Sequence, residues 1–172
     1  MTTDLNFIHT IRPARRDDCG TIADLIHELA VFEKLEDQAQ ATSADLERNL
    51  FGPRPFAEAL VAEVHDRLVG FALFFHTFST FRGQPGVYLE DLFVKPEHRG
   101  QGIGKAMLAT LARIALDRDC GRLEWAVLDW NEPAIGFYRS VGALPMNDWT
   151  VYRVADAPLR WLATLAPEVD ES

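Results

Sequence analysis

Cysteine, positive charge and long apolar runs are all scarce in this chain. Cys19 and Cys120 are its only cysteines. They stand far apart, with neither metal-ligand spacing nor the density of a disulfide framework, so a reduced, cytoplasmic protein is expected. Lysine and arginine number 17 against 26 acids, a formal net charge of −9. That balance argues against nucleic acid as a main partner, because phosphate neutralisation needs a basic surface. It is compatible with a cationic substrate, and equally with an ordinary acidic protein. The longest apolar run, around Phe71 to Phe75, is far too short to span a bilayer, and Met1 to Thr10 has no basic-then-apolar leader. Neither a membrane nor a secretory signal is therefore expected. There is no internal repeat, low-complexity segment or linker. At 172 residues and 48% apolar, the chain can bury one sizeable core, and a single domain over residues 1–172 is expected.

What is present is concentrated in the stretch from Val87 to Lys105. An apolar, β-branched run carrying Glu90 and Asp91 ends at Pro96, and Gly100, Gly102 and Gly104 follow just before a helical pattern. Glycines there let the chain turn tightly and present successive N–H groups, and the next helix adds its positive dipole end. Together they make a socket for phosphate or pyrophosphate. The dinucleotide fingerprint fails because Lys105 stands where its third glycine would fall. The Walker pattern fails because Arg99 replaces its first glycine and Ala106 its hydroxyl. What remains is Arg99-x-x-Gly102-x-Gly104.

Periodicity places the other elements. Phe7 to Arg12 reads as a strand ending at Pro13, and Ile22, Leu25, Ile26 and Leu29 make one face of a helix from about Arg16 to Glu33. A short helix capped by Thr42 or Ser43 runs to Phe51, and Leu60–Val64 and Leu68–Phe75 form a hairpin around His65-Asp66-Arg67. Leu123, Trp125 and Val127 alternate as a further strand. Asn131 looks like an N-cap, with Pro133 in the first turn of a helix to Ser140 and Gly142 as its stop. A strand pair is expected around Leu144 to Val154, split near Asn147-Asp148, and a last helix at 157–166 behind Asp156. This order gives an α/β domain with a mixed central sheet flanked by helices.

Acyl transfer from a thioester to an amine poses two proton problems. A primary amine has a pKa near ~10.4, so under roughly one molecule in a thousand is free base at pH 7. The departing thiolate, with a pKa about 8.5 if it resembles cysteine, gains from a proton donor. Glu90 and Asp91, adjacent in a strand, would point to opposite faces. Glu90 reads as the group that takes the amine's proton, through water. The competing reading, a satisfied buried salt bridge or hydrogen-bond network, weighs more on Asp91 than on Glu90. Asn131 and Tyr138 lie two helical turns apart and share a face. His76 and His98 read as solvated or structural, and the histidines show no metal-binding spacing.

The Arg99–Gly104 motif, preceded by Tyr-Leu-Glu-Asp-Leu-Phe-Val, resembles the acyl-CoA pyrophosphate loop of the GNAT superfamily of N-acetyltransferases. Asn131-Glu-Pro-Ala-Ile-Gly-Phe-Tyr138 is similar to that superfamily's Asn-to-Phe-Tyr pattern. Further matches, including Glu28-Leu-Ala-Val-Phe-Glu-Lys-Leu-Glu-Asp-Gln and Val127-Leu-Asp-Trp-Asn131, resemble the diamine acetyltransferase family. That family holds the spermidine/spermine and thialysine enzymes; Phe32 to Leu35 look closer to the thialysine branch, and the similarity covers about residues 8–155. The resemblance implies the GNAT acyl-CoA N-acyltransferase fold, acetyl-CoA as acyl donor, no metal, a small amine as acceptor, and a homodimer. It implies that Glu90 is the general base and Tyr138 the general acid. The carrier would be held by Leu92, Phe93 and Val94, by Arg99, Gly100, Gln101, Gly102, Ile103, Gly104 and Lys105, and by Asn131, Glu132, Pro133, Ala134 and Tyr138. Phe32, Glu33, Glu90, Glu124, Trp125 and Ala126 would border the acceptor. A peptide N-terminus or a drug as acceptor, and a non-catalytic acyl-CoA-binding module, are the other readings.

Overall fold

Apolar alternation becomes a strand only where a neighbour takes up its hydrogen bonds, and the computed structural model, which describes residues 9–167, shows both outcomes. The chain divides into two compact units, Met1–Ala126 and Val127–Ser172.

The first unit holds one five-stranded sheet. Its strands are β1 (His9–Pro13), β2 (Glu58–Val64), β3 (Arg67–Ser79), β4 (Gln84–Val94) and β5 (Leu123–Trp125), side by side in that order. The first four are antiparallel neighbours, whereas β5 runs parallel to β4. A parallel return needs a crossover, and α3 (Ile103–Asp117) supplies it. The expected mixed sheet is therefore present. Phe7 and Ile8 of the expected first strand lie outside the described residues. The β2–β3 turn uses His65 and Asp66, both with positive φ (48° and 60°), the twist that tight hairpins favour.

Each face of the sheet is covered. On one side α1 (Cys19–Glu33) and α2 (Ser43–Phe51) pack through Cys19, Ile22, Leu25, Leu46 and Leu50 onto Ala59, Val61, Phe71 and Phe93. Helix α2 begins at Thr42, whose hydroxyl accepts from the Asp45 amide while the Asp45 carboxylate accepts from the Thr42 amide. On the other side α3 buries Ile103, Met107, Leu108, Leu111 and Ala115 and packs on β1, β2, β4 and β5. Arg12 clips β1 to β2 and to the turn before α1, donating to Glu63 (3.0 and 2.9 Å) and Asp18 (2.7 and 3.1 Å). These bonds hold the Asp18 carboxyl below its ordinary range.

One irregularity in β4 governs the site. Asp91 pairs with Leu73 and Leu89 with Phe74, so Glu90 has no partner across the ladder and forms a β-bulge. Directly opposed residues share a face. Asp91, like its partner Leu73, therefore faces α1, whereas Leu89 faces α3, although the two are only two residues apart. Strict alternation, which would put Glu90 and Asp91 on opposite faces, is interrupted here.

The same bulge shortens β5. Its ladder with β4 has pairs Val87–Leu123, Tyr88–Glu124 and Leu89–Trp125, and the next β4 residue is the bulged Glu90. Val127, expected to continue the strand, lies outside β5, which ends at Trp125.

The second unit contains α4 (Glu132–Ser140) and α5 (Asp156–Ala163). Asn131 caps α4 as expected, its side-chain oxygen accepting from the Ala134 amide at 3.3 Å. Gly142 stops the helix in the left-handed region (φ 88°), with the amides of Gly142 and Ala143 donating back to Arg139 and Tyr138. The strand pair expected around Leu144 to Val154 is absent: among the described residues this segment forms only a turn, Trp149 N–H donating to Met146. Pro145 removes a donor from it. Asp156 does not precede the last helix but is its first residue.

Candidate active site

The glycine loop takes the form its sequence implies. After β4 a single 3-10 turn, Pro96–His98, leads to Arg99, and Gly100 and Gly102 follow with φ of 74° and 81°. Side chains are strained there, so the positions call for glycine. A Cβ built on either would meet nothing within 4 Å. Open space, not close packing, therefore lies beside both. Gly102 is the N-cap residue of α3 and no side chain caps the helix, while Ala106 N–H closes the first turn onto the Gly102 carbonyl at 2.9 Å. The amides of Ile103, Gly104 and Lys105 sit in the first turn, at the positive end of the dipole. This arrangement fits an anionic phosphate group.

Within the loop the side chains divide their work. Ile103 is buried under the sheet and can offer only its amide. Gln101 reaches back to the Glu97 carbonyl, at 3.4 Å. Arg99 donates Nε–H to the Val94 carbonyl at 2.8 Å, and its guanidinium lies over the rings of Phe32 (4.8 Å) and Phe93 (5.5 Å). Of the β4 residues expected to offer backbone groups, Leu92 to Val94 lie past the last β4–β5 pair. The Val94 carbonyl is already engaged by Arg99, and the Phe93 side chain belongs to the core.

Acids gather on the α1 side of the bulge. Burial first, then repulsion from Glu90 and Glu33, raises the Asp91 carboxyl from its ordinary 3.8 to about 6. Glu33, the last residue of α1, is itself raised by burial. The phenol of Tyr88, stacked on Phe75 with ring centroids 5.2 Å apart, is raised by burial, Glu90 and Glu124. Glu124 is answered by Arg122 at 2.7 Å. The buried salt bridge considered for Asp91 is not found among the described residues: its environment is two further carboxylates. The structure thus brings Glu33, Glu90 and Asp91 together and ties them to the glycine loop through Phe32 and Arg99. The strand sequence alone did not mark Asp91, because its lack of a counter-ion depends on α1 and on the bulge. Trp125 ends β5, with Ala126 after it.

Asn131, Glu132, Pro133, Ala134 and Tyr138 belong to the second unit. Asn131 spends its carbonyl oxygen on the helix cap, and Pro133 sits in the first turn, where no N–H is missed. Tyr138 stacks against Phe137 with centroids 5.4 Å apart and planes at 47°. His76 lies 3.3 Å from Arg118, which grips Glu58 with both its terminal nitrogens; His98 ends the 3-10 turn. Among the described residues no group of three or more His, Cys, Asp or Glu could hold a metal ion, and no helix is long and apolar enough to cross a membrane.

The chain is similar to known proteins in sequence and in fold. The Acetyltransferase (GNAT) family matches residues 23–143. Thialysine N-epsilon-acetyltransferase of Bos taurus is 41% identical over 164 residues, covering 89% of this chain and 96% of that protein. Spermidine/spermine N(1)-acetyltransferase-like protein 1 of Homo sapiens is 38% identical over 153 residues, 83% of this chain and 22% of that longer protein. Among solved structures, an integron cassette protein from the mobile metagenome of V. cholerae superposes with a TM-score of 0.77 at 30% identity, covering 90% of this chain and 97% of its own. The chain belongs to the GNAT acetyltransferases, enzymes that move an acetyl group from acetyl-CoA to an amine.

Proposed function

We propose that the acceptor is a small amine bearing a second charged group, of the thialysine or diamine kind, and that the chain works as one acetyltransferase domain. The observation that carries this reading is the uncompensated set of Glu33, Glu90 and Asp91. Two of its carboxyls are pushed toward protonation, and an ammonium group is what relieves them. The similarity to thialysine and spermidine/spermine-like acetyltransferases points the same way.

In this reading the Arg99–Lys105 loop and the Leu92–Val94 backbone hold the carrier, and Asn131 to Ala134 line its arm. Glu33 and Phe32 receive the distal part of the acceptor, with Glu124, Trp125 and Ala126 beside it. Glu90, exposed at the bulge, takes the proton of the reacting ammonium through water. The freed amine nitrogen bonds to the thioester carbonyl carbon, the carbon–sulfur bond breaks, Tyr138 gives its proton to the departing thiolate, and the nitrogen's second proton passes through solvent to restore the Tyr138 phenol. The protein is proposed to be cytoplasmic and homodimeric; sedimentation at micromolar concentration as a 19.4 kDa species would refute the dimer.

An amine panel assayed by thiol release tests the acceptor. The sulfur of thialysine draws electrons from its terminal amine and lowers that amine's pKa, so more free base is present at neutral pH. The kcat/KM for thialysine should exceed that for spermidine, with the gap narrowing as pH rises. Spermidine as the clearly better substrate at pH 7 would move the chain to polyamine acetylation.

A further inference from the structure

Arg99 is the first residue of the carrier loop, yet its side chain turns back into the first unit. Its Nε–H is given to the Val94 carbonyl at the end of β4, and its guanidinium lies over Phe93 and Phe32. Phe93 is only 3% exposed and fixed in the core, whereas Phe32 is 38% exposed, on the last turn of α1 beside Glu33. The two loop glycines that follow have open space beside them and bring no side-chain contact of their own. The loop's first residue is held by its backbone, Arg99 N–H donating to the Pro96 carbonyl at 3.2 Å, and by what holds the Arg99 side chain.

We propose that Phe32 is a positioning residue for the acyl carrier, acting through Arg99. By stacking on the guanidinium, its ring keeps the start of the loop in its phosphate-binding arrangement, so the acceptor-side end of α1 sets carrier affinity. A loop held in place before binding loses less freedom on binding, which is the physical source of the effect. The coupling is reciprocal: an acceptor that settles Phe32 tightens the carrier, and a bound carrier fixes the ring against which the acceptor rests. This inference rests on the reading of the Arg99–Lys105 loop as the carrier's cradle.

The test is calorimetric titration with coenzyme A alone, with no amine present. Phe32→Leu should raise Kd about 2- to 5-fold, the loss of one exposed cation–aromatic contact. Phe32→Tyr, which keeps the ring, should stay near the wild-type value. In an Arg99→Met background the Phe32→Leu effect should vanish, since nothing remains for the ring to hold. Phe32→Leu binding as wild type, or weakening binding equally in the Arg99→Met background, overturns the proposal. Gly102→Asp separates the two levels. If it leaves coenzyme A affinity unchanged, the cradle reading itself fails. If it abolishes binding while Phe32→Leu has no effect, only the role of Phe32 falls.

Discussion

Replacing Asp91 by asparagine should make the protein more stable and a poorer enzyme at once. The carboxyl is raised from 3.8 to about 6, first by burial and then by Glu90 and Glu33. At about 1.4 kcal/mol per tenfold change in proton affinity, keeping it ionised at pH 8 costs the fold up to ~3 kcal/mol. Partial screening by solvent reduces this to about 1–2 kcal/mol. The sign follows from proton uptake. Between pH 4 and 6 the native state binds more protons than the unfolded chain, so wild-type stability falls as pH rises through this window. Above the folded-state value the penalty is complete; below about 4 it is absent. Asp91→Asn removes the titration and keeps the volume. Urea unfolding should show a gain near zero at pH 4 that grows to about 1–2 kcal/mol at pH 8, or roughly 2–8 °C in Tm for a chain of this size. The acceptor KM should rise at pH 8 while coenzyme A affinity is unchanged, because an ammonium loses one of its carboxylates. A variant less stable than wild type at pH 8 would show that Asp91 is paired with a cation after all, and a difference independent of pH would show that its carboxyl is not raised.

Three other outcomes follow from the same geometry. Tyr138→Phe keeps ring packing and removes the proposed proton donor, so kcat should fall about 10²-fold; turnover within a few-fold of wild type, with chemistry rate-limiting, would leave Tyr138 a packing residue. Glu90→Gln should steepen the rise of kcat/KM with pH, since free amine must then come from bulk solution, and an unaltered profile would remove Glu90 from proton transfer. Arg12→Leu leaves Asp18 and Glu63 facing each other without their cation and should lower the midpoint of chemical denaturation; a neutral result would mean the trio contributes no net stability.

Local features were legible in the sequence where one segment decides the outcome. The α1 stripe, the Thr42 cap, the His65-Asp66 turn, the left-handed glycines before α3 and the Asn131 and Gly142 helix ends are all short-range choices. The glycine loop could be found for the same reason. Features that depend on a neighbour were not legible. The bulge at Glu90 is a mismatch between β3 and β4, and neither strand announces it alone. The end of β5 at Trp125 falls beside that bulge, and the segment from Leu144 to Val154 forms only a turn. The environment of Asp91 required α1 to arrive beside β4. What could be read was which acids to watch, not which of them would be crowded by the others.

The extra residue in β4 acts on the strand as a frameshift acts on a message. Upstream, Val87 and Leu89 serve one layer; downstream, Asp91 and Phe93 serve the other. Deleting Glu90 would close the bulge and leave both halves where they are, since Leu89 and Asp91 would become alternating neighbours still opposite Phe74 and Leu73. Drawing Glu90 into the ladder, by contrast, would put every side chain on one half of β4 out of phase, turning Asp91 toward the apolar layer under α3, or Leu89 and Val87 away from it. Length changes in the turn between β3 and β4 carry no such penalty, because they leave the phase of both strands intact. Changes of length should thus be tolerated at residues 80–83, whereas a change that pairs position 90 with β3 should not be.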